Sequence, residues 1–181
     1  MRFTDFLKAT VMTSAAAATL LGAITVAAAS SQDDPLLVPF AVGWWLLAAA
    51  VGAMLGRRAE TSPPIARLLA GARSTKALPE VQPSRILLNR LWPLLVCTVV
   101  AAGLALVLPQ VAAIATGFAI IWALSWRRQD AAVTAIEERD GVHYYVEPTS
   151  PLKPIQLIRT PGFKANAWQF EEAASVPQRP A

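Results

Sequence analysis

His143 is the one histidine in the chain, and Glu138 and Glu147 are the carboxylates best placed beside it. An imidazole next to a carboxylate is a general acid–base pair, because the carboxylate orients the ring and steadies its charged form. At a membrane interface such a trio would suit a lipid-modifying enzyme. The same residues on two paired strands make an ordinary cross-strand pair, and that plainer reading is preferred. A Cys/His zinc cluster is not available, since the single cysteine, Cys97, lies inside an apolar run. There is no phosphate-cradling glycine loop, no G-x-S-x-G elbow and no H-E-x-x-H pair. The acidic pairs Glu137-Glu138 and Glu171-Glu172 read as solvated faces. The sequence thus predicts no catalytic residue, no metal, no cofactor and a protein that is not an enzyme.

Transport chemistry has a different signature, an ionisable side chain inside a membrane span. None occurs in the apolar runs of this chain, whose polar members are Thr13, Ser14, Thr19, Thr25, Cys97, Thr98, Thr116 and Ser125. The hydroxyls are expected to bond back to their own helices or across to a neighbour. Small residues recur at four-residue spacing in Ser14-Ala18-Gly22, Ala48-Gly52-Gly56 and Ala113-Gly117. Gly52-x-x-x-Gly56 is the best of these and predicts tight packing or self-association.

The elements that carry these residues are mostly transmembrane. The 181 residues are 55% hydrophobic and 15% charged, with mean hydropathy +0.44, against roughly 25% charged in ordinary soluble domains. Leu91 to Trp126 carries no charge, breaks only at Leu108-Pro109-Gln110, and stops at Arg127-Arg128. That is a helical hairpin, each run near the ~20 residues that cross a bilayer. An earlier pair, about 9–30 and 36–56, flanks an acidic turn at Asp33-Asp34-Pro35 and stops at Arg57-Arg58. The fold class expected is an all-α membrane protein with four transmembrane helices as two hairpins (9–30, 36–56, 91–108, 110–126). Matching ends, with Pro39 and Pro109 equally far from their Arg pairs, hint at a duplicated unit. Residues 9–29 admit a second reading as a cleaved signal, since Ala27-Ala28-Ala29 offers a cleavage site. Their length favours a span.

Between the hairpins, 57–90 is a connecting loop. Ser62-Pro63 suits a helix start, and Ile65, Leu68, Leu69 and Ala72 share a face that predicts an amphipathic helix on the membrane surface. Ser84 is the expected cap of the third span, with Pro93 near its entry. Beyond Arg128 the chain changes character. Val133–Glu138 and Val142–Glu147 flank Asp140-Gly141, a favoured two-residue hairpin turn. This register pairs Glu138 with His143 and Ile136 with Tyr145. A third run, 155–159, joins after the stiff PTSPLKP segment. The competing reading of 131–139 extends the fourth helix to a cap at Gly141; β-branched Val133, Thr134 and Ile136 favour strand. So 129–160 is expected to be a small cytoplasmic β-module, and 161–181 a flexible tail in which Phe163, Trp168 and Phe170 can touch the membrane or the sheet.

Charge sets the orientation. All 16 Lys and Arg fall before the first span, between the second and third, or after the fourth. By the positive-inside rule both termini and the middle loop are cytoplasmic, in a multi-pass protein of the cell membrane. Arg57, Arg58, Arg67, Arg73, Arg127 and Arg128, with Trp92 and Trp126, are the expected contacts to anionic lipid headgroups. The net charge of +4 and pI near 9.7 then need no nucleic-acid partner.

The segment IEERDGVHYYVEPTSPLKPIQLIRTPGF, with LWPLL and the WALSWRRQ exit, resembles uncharacterised small four-span membrane proteins of high-GC Gram-positive bacteria. The resemblance covers most of the chain and implies the four-span architecture and a bacterial inner membrane. It brings no activity and no binding residues. The function expected is a non-enzymatic accessory protein that presents its module to a partner or to the lipid surface, with His143, Tyr145 and Leu157 as the partner surface. The alternative is a subunit of a homo-oligomeric small-solute transporter or channel.

Overall fold

A computed structural model describes residues 1–31, 35–57, 61–74, 83–147 and 155–161. The elements are α1 (Phe3–Ser31), α2 (Leu37–Leu55), α3 (Pro63–Ala70), β1 (Arg73–Ser74), α4 (Pro83–Leu104), α5 (Pro109–Trp126), α6 (Gln129–Asp140), β2 (Val142–Val146) and β3 (Leu157–Pro161). Four helices are long and apolar enough to cross a membrane: α1, α2, α4, and α5 with its continuation. Arg58, the acidic turn at Asp33-Asp34, PTSPLKP and the tail with Phe163, Trp168 and Phe170 lie outside the described residues.

The four spans follow the two sequence hairpins in order but do not pack as two hairpins. The last of them, α5, lies between α1 and α2 and makes the main contacts with both, while α1 barely meets α2. Small side chains explain the arrangement. Gly52 of α2 and Gly56, its C-terminal cap, face α5 at Ile121 and Leu124. A methyl group at Gly56 would fall on the Leu124 carbonyl oxygen, so only glycine lets the two backbones approach this closely. Across the same interface Trp44 Nε1 donates to the Ile114 carbonyl at 3.2 Å and Trp45 Nε1 to the Ala113 carbonyl at 2.9 Å. Gly117 leaves the space that the Trp44 ring fills. On the other side Ser14, Ala18 and Thr116 are buried, and a methyl group added at Gly22 would meet the Thr116 methyl at ordinary van der Waals distance. The expected small-residue faces are therefore all spent within the chain, and the Gly52–Gly56 face is not open to a second copy. Thr10, Ser14, Thr25, Thr98 and Thr116 donate to the carbonyl four residues back at 2.8–2.9 Å, as expected of hydroxyls in apolar helices.

Two spans differ from their expected bounds. The helix α1 starts at Phe3, six residues before the apolar run, and its 29 residues reach ~43 Å, more than the ~30 Å hydrocarbon core. The third span, α4, starts at Pro83, so Ser84 lies within it rather than capping it and Pro93 is internal; it stops at Leu104 instead of 108. Only Ile86, Leu91 and Ala101 of α4 are buried, which makes it the least embedded of the four.

One end of the bundle carries a second layer. Phe3, Phe6 and Leu7 of α1, Ile65 and Leu69 of α3, Ile86 of α4, Val133 of α6 and the inward residues of β2 and β3 form one apolar core. The stripe on α3 is the one expected, but protein covers it: Ile65 and Leu69 are buried and Leu68 and Ala72 pack beside them. The sheet has the order β1-β3-β2, with β1 parallel and β2 antiparallel to β3.

The expected β-hairpin across Asp140-Gly141 does not form. Residues 129–140 are helix, and Gly141, at φ 62° and ψ 33°, is its left-handed C-terminal cap. The β-branched residues were misleading because tertiary burial outweighs their local preference: Val133 is fully buried in the core, and that requires a helical face. The strand after the turn, β2, pairs instead with the third expected run, Tyr145 opposite Ile158 and His143 opposite Thr160.

Candidate functional site

The module at the end of the bundle is where the charged side chains gather. Arg2 and Lys8 on or beside α1, Arg57 after α2, Arg67 and Arg73, and Arg127, Arg128, Arg139 and Arg159 all lie on the module or on the helix turns beside it. Two polar clips join its parts. Arg128 Nη1 donates to the Arg57 carbonyl at 2.9 Å, and the Ser62 N–H donates to Gln129 Oε1 at 3.1 Å. The buried Gln129 thus satisfies an N-terminal backbone group that the Ser62 side chain leaves alone. Nothing in the sequence singles Gln129 out, because its partner lies on a distant segment.

The carboxylate beside His143 is Glu137, not Glu138. Glu137 is 6% exposed, whereas Glu138 is exposed. The Tyr144 N–H donates to Glu137 Oε1 at 2.8 Å, and Glu137 Oε2 stands 3.6 Å from His143 Nδ1. Helical periodicity explains the correction: in a strand Glu138 would face His143, but in a helix Glu137 shares the buried face of Val133 four residues earlier. Its task is visible in the sheet. The edge of β2 away from β3 presents the N–H groups of Tyr144 and Val146. Glu137 takes the first, and the Met1 carbonyl takes the second at 3.1 Å, with Arg2 bridged to Tyr145. A sheet edge that would otherwise recruit another strand is sealed by one side chain and by the first residues of the chain.

Variants at Glu137 should rank in a fixed order. Glu137→Gln keeps an oxygen for the Tyr144 N–H and should cost under about 1 kcal/mol; Glu137→Ala orphans that N–H and should cost about 1–3 kcal/mol. Thermal unfolding in detergent ranks them. Equal losses would place the weight on the ionic pair with His143 instead.

The expected partner surface is only partly a surface. Leu157 is 2% exposed and belongs to the core. Its place in β3, opposite Val146, turns it inward. His143 and Tyr145 are half-buried on the opposite face of the sheet from Tyr144. Among the expected headgroup contacts, Arg57, Arg67, Arg73, Arg127 and Arg128 are exposed, Trp92 is 43% exposed, and Trp126 is half-buried, stacked on Trp122 with ring centroids 5.5 Å apart. At the far end of α6, Arg139 Nε donates to Asp140 Oδ1 at 2.8 Å. That bond holds the Asp140 carboxyl below the usual carboxylate range, while burial pushes the Tyr144 phenol up. No group of three or more metal-ligating side chains occurs among the described residues. Comparison of the chain with family models, with curated proteins and with solved structures finds no match.

Proposed function

We propose that this chain is a multi-pass protein of the cell membrane whose termini and module are cytoplasmic. In this reading it serves as a non-enzymatic accessory subunit that holds its module close beneath the membrane for a protein partner, with anionic headgroups bound along the basic rim. The observation that carries the reading is the continuous core joining the start of α1, α3, the start of α4, α6 and the sheet. Such a core fixes the module on the bundle rather than leaving it on a tether. The placement of every described Lys and Arg near that end supports the orientation, and exposed Arg57, Arg127 and Arg128 at the helix ends suit headgroup contact. The Ala-rich spans, with no ionisable side chain between Ala9 and Ser31, Leu37 and Leu55, or Pro109 and Trp126, favour a role other than ion-coupled transport.

The test combines orientation with capture. In a Cys97→Ser background, Val107→Cys in the exposed turn before α5 should react with a membrane-impermeant maleimide in whole cells. Arg67→Cys should react only after permeabilisation. A photo-reactive residue at exposed Glu138 should then yield one discrete protein adduct in native membranes. Reversed labelling overturns the orientation. Only lipid adducts or self-adducts overturn the accessory role.

A further inference from the structure

Between α3, α6 and the sheet lies an open pocket of about 320 Å³ that the accessory reading does not use. We propose that this pocket binds a small organic monoanion, a carboxylate carried on a short apolar body. The polar side of the pocket is Arg139 and Asp140 from the last turn of α6, and Tyr144 and Arg159, which are directly opposed across β2 and β3. The other side is apolar, made by Leu69 and Ile136 with small alanines of α3 and of the turn after it.

The charge pattern selects the ligand. Two guanidinium groups face one carboxylate, so the lining keeps one positive charge in excess. Arg139 is engaged by Asp140 through Nε and, at 3.4 Å, Nη2. Among the described residues no carboxylate stands within 4.0 Å of Arg159. An arginine fork with a free face binds a carboxylate by two parallel N–H donors. Tyr144 is fixed by the core to which it belongs, and its phenol is a donor at neutral pH as phenols are, with burial pushing its titration further up. The pocket is therefore preorganised on one side by the Glu137 clasp on the Tyr144 backbone and on the other by the buried Leu69. Its volume is at the lower end of small-molecule sites, about 300–1,000 Å³, which restricts the apolar body to about one or two rings.

The experiment uses the full chain in phosphatidylcholine nanodiscs and three probes of one shape: 1-naphthoate, 1-naphthyl phosphate and 1-naphthalenemethanol. Calorimetry should show saturable binding of 1-naphthoate, with the neutral alcohol weaker by about tenfold or more. Arg159→Gln should weaken 1-naphthoate about tenfold and Arg159→Lys less, while Arg85→Gln, an equal charge loss at an exposed position of α4 outside the pocket, should change nothing. The proposal is overturned by equal binding of acid and alcohol, by unchanged binding in Arg159→Gln, by a phosphate ester about tenfold tighter than the acid, or by no saturable binding below about 10 mM. The acid-against-alcohol comparison is made on the unmodified chain, so it decides the matter even if Arg159→Gln does not fold. The outcome is independent of any protein captured through Glu138, and the two readings stand or fall separately.

Discussion

Deletion of residues 2–7 should unfold the module while leaving the membrane helices inserted. The segment is short, but Phe3, Phe6 and Leu7 are each 5% exposed or less and sit in the core that α3, α6 and the sheet share. Truncating one buried Phe costs about 3–5 kcal/mol and one buried Leu about 2–5 kcal/mol. Losing all three costs on the order of 8–15 kcal/mol, as much as the whole reserve of a small domain, about 5–15 kcal/mol. The deletion also strips the outer edge of β2, where Val146 bonds Met1 and Tyr145 bridges Arg2. Hydrogen exchange of Val142–Val146 should rise to the rate of an unprotected chain, and trypsin should cut readily at Arg139 and Arg159. Phe3→Ala alone should show the same change in smaller measure. If β2 keeps its protection in the deletion, the α1 terminus is not part of the module's core.

The second large effect belongs to the bundle. Gly56→Ala should cost about 3 kcal/mol or more, at the top of the range for overpacking, and Gly56→Leu should separate α2 from α5. The new Cβ meets the Leu124 backbone carbonyl, and no side-chain rotation can relieve a contact with backbone. Gly52→Ala, against Leu124 Cβ and the Ile121 backbone, should fall next in order. The control is Gly43→Ala in the same helix, where nothing lies within 4 Å. That change should be neutral or add up to about 1 kcal/mol, because glycine is the poorer helix former. Denaturation in mixed micelles, followed by the fluorescence of Trp44 and Trp45 against α5, measures all four. Equal stabilities for Gly43→Ala and Gly56→Ala would mean that α2 and α5 do not meet at this face.

The apolar spans were legible because length and hydropathy are properties of a local window. Which helix each span touches was not, since Gly52, Gly56 and Gly117 announce close approach without naming the partner. The amphipathic α3 was visible in Ile65, Leu68 and Leu69, yet periodicity tells only that a face is covered; whether lipid or protein covers it depends on segments far away in the chain. The turn at Gly141 allowed two readings, and local propensity chose the wrong one: Val133, Thr134 and Ile136 lean toward strand, but burial of Val133 and Glu137 on one side of a helix decides. That error carried Glu138 into the place of Glu137. Leu157, read as a contact surface, is the inward position of its strand, opposite Val146. The pocket beside Arg159 had no local signature at all, since its lining comes from four separate stretches.

The way α5 is placed has a consequence for biosynthesis. A chain grows from its N-terminus at about 5–20 residues per second, so α1 and α2 reach the membrane well before the helix that lies between them. They touch each other little, and their glycine and serine faces stay unfilled until α5 arrives. The first turn of α1 waits longer still, because Phe3 and Met1 close on strands that end at residue 161, some 10–30 s later at those rates. The fold is thus locked from its last helices backward, and a ribosome stalled after α4 would leave three loosely associated spans with an uncovered aromatic terminus, a form that membrane quality control can recognise.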